Sequence, residues 1–594
     1  MNKSTRLKRY GQVFAVFSLV LPACGMAADC KVEALDLPVT MVGRRAVATV
    51  GINGTEVPMT VDSGAFFSVL TEAARQRLNL PDHNPPFGFY MEGLTGSVDT
   101  RITTVKRLQI GKGELSNVDF IVGGNEPGSG TFGLLGRNFL TFTDVEFDLA
   151  HGMVRLMFPK GDCDSTDMAY WHDGSAVSVL ELRRDRKSKF PAIKATAQVN
   201  GKDITVMFDT GAESVMSAAA ARRAGVAETD MKPDGVIHGM GRGEAKAWTA
   251  PIRTVTLGGE SIKNSVLRIG AFDVDDFDML IGIDFFLSHR IYVSQRQRRM
   301  YFTYNGGPVF ALSVAAAASD EASGSGEPAD ADSYARRGAA RASRGDFVRA
   351  LADLDRACEM APQVARFFTR RGEVHLALKQ VAEALQDYTM ALRLDAAQDE
   401  ARLMRAHLRA GSRERDSALA DLEALDKTLA PQAAMRREMA TLYGMLERLD
   451  LSLPQWNLWI ASHRNEVDLH VALNARCWAR AMLGIELDKA INDCNAAMDE
   501  RPKEAPYFDS RAWLQLRRGK LREALSDFDH ALEIQPGNVW SLYGRGLVRT
   551  KMGNAVQGLA DIEQARKLKA SIDDAVRRYG FVQVDATNRQ GQTP

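Results

Sequence analysis

Two short stretches of the 594-residue chain carry the residues best suited to chemistry, Val61-Asp62-Ser63-Gly64-Ala65 and Phe208-Asp209-Thr210-Gly211-Ala212. Asp, Ser or Thr and Gly are also ordinary tight-turn residues, where a carboxylate accepts a backbone N–H and glycine tolerates positive φ. The alternative role needs both aspartates at once. Two carboxylates about 3 Å apart cannot both ionise cheaply, so they share one proton and titrate as a pair. The ionised member can take a proton from a water that attacks a peptide carbonyl, while the protonated member polarises the carbonyl oxygen. Such a pair needs no cofactor, no metal and no covalent intermediate.

The surroundings separate the two roles, because the sequence repeats itself around them. Ala48–Ala65 aligns without a gap onto Ala195–Ala212, a shift of 147. Each copy has Asn-Gly between two apolar-rich runs, the strongest short hairpin signal. At the same shift Leu108–Glu114 meets Val255–Ser261 and Asn117 meets Asn264, while Gly133–Leu140 meets Met279–Phe286 at 146. A chance turn does not bring these landmarks with it. Two all-β units follow, residues 31–160 and 174–305, each of ordinary domain size. Between the landmarks lie two glycine-bearing segments, Phe89–Val98 and Val236–Ala245, each able to form a flexible hairpin.

Apolar-apolar-Asp-Ser/Thr-Gly-Ala followed some seventy residues later by Leu134-Leu135-Gly136 or Leu280-Ile281-Gly282 resembles the retropepsin-like aspartic proteases in their bacterial form. The resemblance covers about residues 33 to 305. It implies that Asp62 and Asp209 are the catalytic pair, one from each unit, acting on a protein or peptide substrate. It further implies that Ser63 and Thr210 hydrogen-bond across the units and that Gly64 and Gly211 let the two backbones approach. Gly93, Gly96, Gly239 and Gly241 would belong to flaps that cover the substrate and exclude water. A short connection on one chain (about 161–185) favours internal pairing of the units as a pseudo-dimer over pairing between chains. Two departures mark the first unit as the more diverged. Phe66 stands where the family has a small or polar residue and the second copy has Glu213, and Arg137-Asn138-Phe139 replaces the usual form kept in Ile283-Asp284-Phe285. A catalytically inactive, protease-like scaffold that works through protein–protein contacts is therefore the alternative.

The flanks complete the organisation. Lys3, Arg6, Lys8 and Arg9 precede the apolar run Val13–Leu21 and then small residues, the order of a secretory signal over residues 1–28. That run rises only about 13 Å as a helix, too short to span a bilayer. The protein is thus expected to be periplasmic or otherwise extracytoplasmic, with a lipid anchor at Cys24 as the lesser alternative and no membrane span. Cys30 and Cys163 bracket the first unit and are the preferred disulfide. Cys477 and Cys494 fall on two helices of one repeat and are expected as buried free thiols rather than a bridge.

Beyond an Ala/Ser/Gly/acidic linker at 311–331, small and apolar residues recur every 34 positions: Gly338 and Gly372; Ala350, Ala384 and Ala418; Leu354, Tyr388 and Leu422. Ala490, Ala524 and Gly558 continue the spacing, with Cys494, Phe528 and Ile562 beside them. This resembles tetratricopeptide repeats over residues 332–572, degenerate at 431–470, with a tail at 573–594. Tyr388 and Phe528 are expected in the core, and the stacked helices would offer a groove to a protein partner. Lys plus Arg and Asp plus Glu are 75 each, so no net field draws the chain to nucleic acid. The expected fold class is multidomain: two all-β retropepsin-like (acid protease) units, then an all-α tetratricopeptide-repeat solenoid.

Overall fold

The computed structural model describes residues 30–582 apart from 88, 90, 94–95, 125–129, 173, 175, 185–187, 240, 242, 275 and 311–326. The signal-like segment with Cys24, most of the linker and residues 583–594 lie outside the described residues. The chain divides into two compact bodies at Arg405 and Ala406.

In the first body the duplicated β-units form two lobes with the same plan. Strands Arg45–Ile52 and Thr55–Val61 form a hairpin in the first lobe, as do Lys194–Val199 and Lys202–Phe208 in the second. Asn53 and Gly54 take φ of 52° and 90°, and Asn200 and Gly201 take 50° and 77°, the paired positive values that a tight hairpin turn demands. Along the first strand of each lobe, inward residues such as Ala46, Ala48 and Val50, or Ala195, Ala197 and Val199, are fully buried. Each second strand then runs parallel to a short apolar strand, with Val61 paired to Leu135 and Phe208 to Ile281. Two long hairpins, Thr100–Ile110 with Gly113–Gly123 and Glu244–Leu257 with Glu260–Gly270, extend the lobes.

The lobes pair within the chain. Strand Asp144–Asp148 of the first lobe runs antiparallel to His289–Ser294 of the second, so one sheet of twelve strands crosses between them. On this seam Glu146 is fully buried and accepts hydrogen bonds from Arg155 (2.6 Å), Arg290 (2.8 and 3.0 Å) and the Tyr170 hydroxyl (2.6 Å). A buried carboxylate is tolerated only when so matched. Asp144 does similar service, accepting from Tyr292, Ser294 and the Gln295 amide of the other lobe. Cys30 and Cys163 are bonded, closing the ends of the first lobe.

Helix Ala331–Ser343, the first of the repeat array, is packed onto the lobes. Its Ala339 and Ala340 share one hydrophobic cluster with Phe310 and the lobe cores. Arg344 donates to the carbonyls of Gly306 (3.0 Å) and Leu287 (3.4 Å), and Ser343 Oγ donates to the carbonyl of Gly43. Asp330 caps this helix through the Ser333 amide (2.7 Å), so the stretch read as linker ends in ordered structure.

The helices are hairpins whose 34-residue signature is a packing rule. A Cβ on Gly372 would lie 2.8 Å from the Tyr388 ring, and one on Gly544 only 2.2 Å from Phe528. Tyr388 and Phe528 are fully buried. An Arg–Asp clamp recurs beside these contacts, bidentate at Arg337–Asp353, Arg371–Asp387, Arg511–Asp527 and Arg545–Asp561. It neutralises an Asp buried just before each large core residue.

In the second body, residues 431–470 still fold as a pair, helices Arg436–Met445 and Leu449–Ser462. Ser452 and Trp456 lie 34 residues beyond Ala418 and Leu422, so the spacing runs on into this pair, with Trp456 and Trp459 as its large core residues. The expected tail begins as helix Ile572–Arg578, and the Phe581 ring lies 4.7 Å from Trp513.

Cys477 and Cys494 are a disulfide, contrary to the free-thiol expectation. Burial alone did not decide, since their Cα atoms sit 5.5 Å apart on facing helices, within bridging range. The bridge closes a 17-residue loop. Replacing both cysteines by Ser is expected to cost roughly 3 kcal/mol, read as a lower urea midpoint of the repeat region. An unchanged midpoint in oxidised and reduced protein alike would contradict the bridge.

Candidate active site

Each aspartate is delivered by a strand end and fixed by its neighbour. Asp62 N donates to the Leu135 carbonyl (3.0 Å) and Asp209 N to that of Ile281 (2.9 Å). Asp62 Oδ1 accepts the amides of Gly64 (2.9 Å) and Ala65 (2.7 Å), and Asp209 Oδ1 accepts that of Gly211 (2.8 Å). The turn chemistry and the catalytic candidate are thus the same residues.

The two loops interlock across the lobe boundary. Ser63 Oγ donates to the Phe208 carbonyl (3.1 Å) and Thr210 Oγ1 to that of Val61 (2.8 Å). In return Ser63 N donates to Thr210 Oγ1 and Thr210 N to Ser63 Oγ, both at 3.0 Å. Both hydroxyls are fully buried, so these bonds are shielded from water.

Glycine is required beside each aspartate for a specific reason. A Cβ on Gly64 would lie 2.2 Å from Asp209 Cγ, and one on Gly211 2.4 Å from Asp62 Cγ. Each carboxyl therefore rests over the glycine of the opposite loop, and the two carboxyls meet within hydrogen-bonding reach. Burial, and then the charge of Asp62, hold the Asp209 carboxyl well above the usual carboxylate range.

The four flap glycines are placed in pairs. Gly93 pairs with Gly96 in the hairpin of Met91–Gly93 and Gly96–Val98. Gly239 and Gly241 lie in the loop between strands Lys232–His238 and Glu244–Leu257. A Cβ on Gly241 would come 2.5 Å from the Gly96 carbonyl oxygen, so the two segments touch backbone to backbone at these glycines. Each flap base shares a hydrophobic cluster with the loop after its own aspartate: Met91 with Ala65 and Phe67, Ile237 with Ala212 and Val215.

Two supporting residues, Ser68 and Ser214, escaped the sequence reading, and with them the role of Asn138 and Asp284. Ser68 Oγ accepts the Gly136 amide (3.0 Å) and donates to Asn138 Oδ1 (2.8 Å). Ser214 Oγ accepts the Gly282 amide (2.8 Å) and donates to Asp284 Oδ1 (2.6 Å). Asn138 thus does in the first lobe what Asp284 does in the second, and its departure from the usual form leaves the geometry intact. The signal was present, since both pairs recur at the 146 offset already visible at Gly133 and Met279. Burial pushes the Asp284 carboxyl up to about 7.

The comparison of Phe66 with Glu213 needs correction. Behind the loops, a Cβ on Gly136 would meet the Phe67 carbonyl carbon (2.6 Å), and one on Gly282 that of Glu213 (2.4 Å). Phe67 is the counterpart of Glu213, and Phe66 is one extra residue that bulges outward with 44% of its surface exposed.

With this geometry in hand, comparison with known proteins is consistent across both lobes. Residues 48–141 match the family model described as gag-polyprotein putative aspartyl protease, and residues 195–285 the model described as aspartyl protease. Each β lobe thus matches an aspartyl-protease family model, and the lobes are followed by an array of helix pairs. A curated relative, the SGT1 homolog of Bos taurus, is 23% identical over 99 residues, 17% of this chain, and the chain spans 29% of that protein's length. Among solved structures, YrrB, titled a TPR protein with an unusual peptide-binding site, is 19% identical with TM-score 0.29, covering 32% of this chain and 97% of its own. A tetratricopeptide repeat protein from Parabacteroides merdae is 18% identical with TM-score 0.30, covering 42% and 98%. Among the described residues no helix is long and apolar enough to cross a membrane.

Proposed function

We propose that the chain is an exported aspartic endopeptidase in which Asp62 and Asp209 activate one water, with a repeat array that binds a protein partner or substrate. The observation that carries this reading is the pair of carboxyls opposed over Gly64 and Gly211, behind a buried Ser63–Thr210 interlock. Water between the carboxyls gives a proton to the ionised member as its oxygen attacks the peptide carbonyl. The protonated member donates to the carbonyl oxygen, and the leaving amine regains a proton from the pair. The interlock keeps the carboxyls from separating as charge shifts, and the touching flap segments limit water above them.

Export is supported by two disulfides, which persist in oxidising compartments. The competing scaffold reading leaned on Phe66 and Asn138. An acceptor equivalent to Asp284 in the first lobe weakens that ground. The test is cleavage of an unfolded protein by the mature chain at acidic pH, with and without a statine-type transition-state mimic. Mimic-sensitive cleavage supports the enzyme, whereas an inert protein that still holds a partner through its repeats supports the scaffold. The alkaline limb of the rate profile is expected above the ordinary carboxylate range, because Asp209 holds its proton upward of it.

A further inference from the structure

Duplication makes the cleft two-sided, but its two sides are not chemically alike. In the hairpin of Arg45–Ile52 with Thr55–Val61, Val47 faces Thr60, which places Arg45 directly across from Asp62 at the end of the ladder. In the second lobe Lys194 faces Met207, which places Ala192 across from Asp209. A guanidinium therefore stands beside one aspartate and a methyl group beside the other. The Arg45 side chain is half-buried in the field of Asp62, Asp209 and Glu213, and burial lowers its pKa.

The neighbours follow the same division. Glu213 is already neutralised by Arg44 and by Arg268 at 4.0 Å, and Arg268 is itself paired with Asp234 at 3.0 Å. The Arg45 guanidinium donates no hydrogen bond to any described residue, and the carboxylates whose charge it feels are Asp62, Asp209 and Glu213. At the related position by the shift of 147, Gly43 and Arg44 become Phe190 and Pro191. There the charged contact has turned aromatic: Phe190 lies 5.9 Å from Phe67 and 5.7 Å from the exposed Phe66 ring. The wall beside Asp62's own loop is thus aromatic, with Arg137 over the Phe66 ring at 5.5 Å and Lys189 over Phe190 at 5.1 Å. The wall beside Glu213 is built of arginines and carboxylates with Arg45 among them.

We propose that this asymmetry reads substrate direction, an acidic side chain being taken beside Arg45 and an aromatic or large aliphatic one beside Phe66 and Phe67. The inference rests on the endopeptidase reading for its cleavage consequence, though not for its binding consequence. A half-buried cation with unused donors gains from a carboxylate that reaches it, and the exposed Phe66 ring gains from apolar cover. A cleft whose two sides were alike would offer neither side chain a preferred side.

The test uses two octapeptides with one Glu-Phe or one Phe-Glu junction, otherwise identical, and their non-cleavable reduced-amide analogues. The full chain is expected to cleave one orientation with kcat/KM about tenfold higher and to bind its analogue about tenfold tighter. Arg45→Gln should bring both ratios to within about twofold, and Arg45→Lys should retain part of the preference. Phe66→Ser, on the exposed bulge, should weaken the preferred analogue while leaving one with Ala for Phe unchanged. Equal binding of the two analogues by the unaltered chain overturns the proposal, as does a preference that survives both Arg45→Gln and Phe66→Ser. If neither peptide is cut but the analogues bind directionally through Arg45, the inference stands and the endopeptidase reading falls.

Discussion

Asp209→Asn is expected to lower cleavage of an unfolded protein by about 10³-fold or more, and Asp62→Asn to do the same, with no loss of folded structure. Asn keeps the shape and the acceptor oxygen for Gly211 N or Gly64 N, so the loops should hold. What it removes is the shared proton. One carboxyl opposite an amide can neither accept the water's proton and donate to the carbonyl in the same step, nor exchange those roles when the amine leaves. Because the two residues act as one unit, the double variant should be no slower than either single one. A chain in which Asp62→Asn retains activity and Asp209→Asn loses it would show that the two lobes do not act on one water. Stability offers an independent reading. Asp209 holds its proton upward of the ordinary range, so at neutral pH the ionised form opposes folding, and Asn there should not lower the melting temperature.

The site was legible where the backbone tolerates few residues. Gly64 and Gly211 admit no Cβ, and Asn53-Gly54 and Asn200-Gly201 need positive φ, so both copies kept the same letters and the duplication stood out. The flap glycines survived for a related reason, Gly241 meeting Gly96 with no room for a side chain. Legibility failed where different letters do one job. Asn138 and Asp284 present the same acceptor to Ser68 and Ser214, yet as text they read as divergence. Phe66 was mistaken for a substitution because an inserted residue is visible only once Gly136 and Gly282 show which carbonyl lies behind them. Arg45 carries no motif at all, and only strand register sets it across from Asp62. Glu146 was equally silent, since its partners Arg155, Tyr170 and Arg290 are gathered from distant parts of both lobes. The repeats show the same contrast, with Gly372 under Tyr388 legible by period and the Cys477–Cys494 bond dependent on which helix faces meet.

Asp284→Asn is expected to stabilise the lobes at pH 8 and to change nothing at pH 3.5. Asp284 is buried behind the Asp209 loop, where burial pushes its carboxyl up to about 7 from an ordinary 3.8. Between those values the folded chain holds a proton that the unfolded chain has released, so stability falls as pH rises through that window. Above about 7 the full cost applies, at most about 4 kcal/mol for a shift of this size. Asn138 shows that an amide fits: its Oδ1 takes the Ser68 amide and hydroxyl just as Asp284 Oδ1 takes those of Ser214. Urea unfolding of the lobes at the two pH values measures the effect, with a higher midpoint for the variant at pH 8 only. A loss at both values would mean that the carboxyl is needed as an anion, and the burial argument would fail. The retained acid has a consequence for the working range. Asp284 by itself costs the second lobe least where it is protonated, and burial holds the Asp209 proton in the same direction. Replacing Asp284 should therefore widen the pH range of stability on the alkaline side without moving the pH range of cleavage.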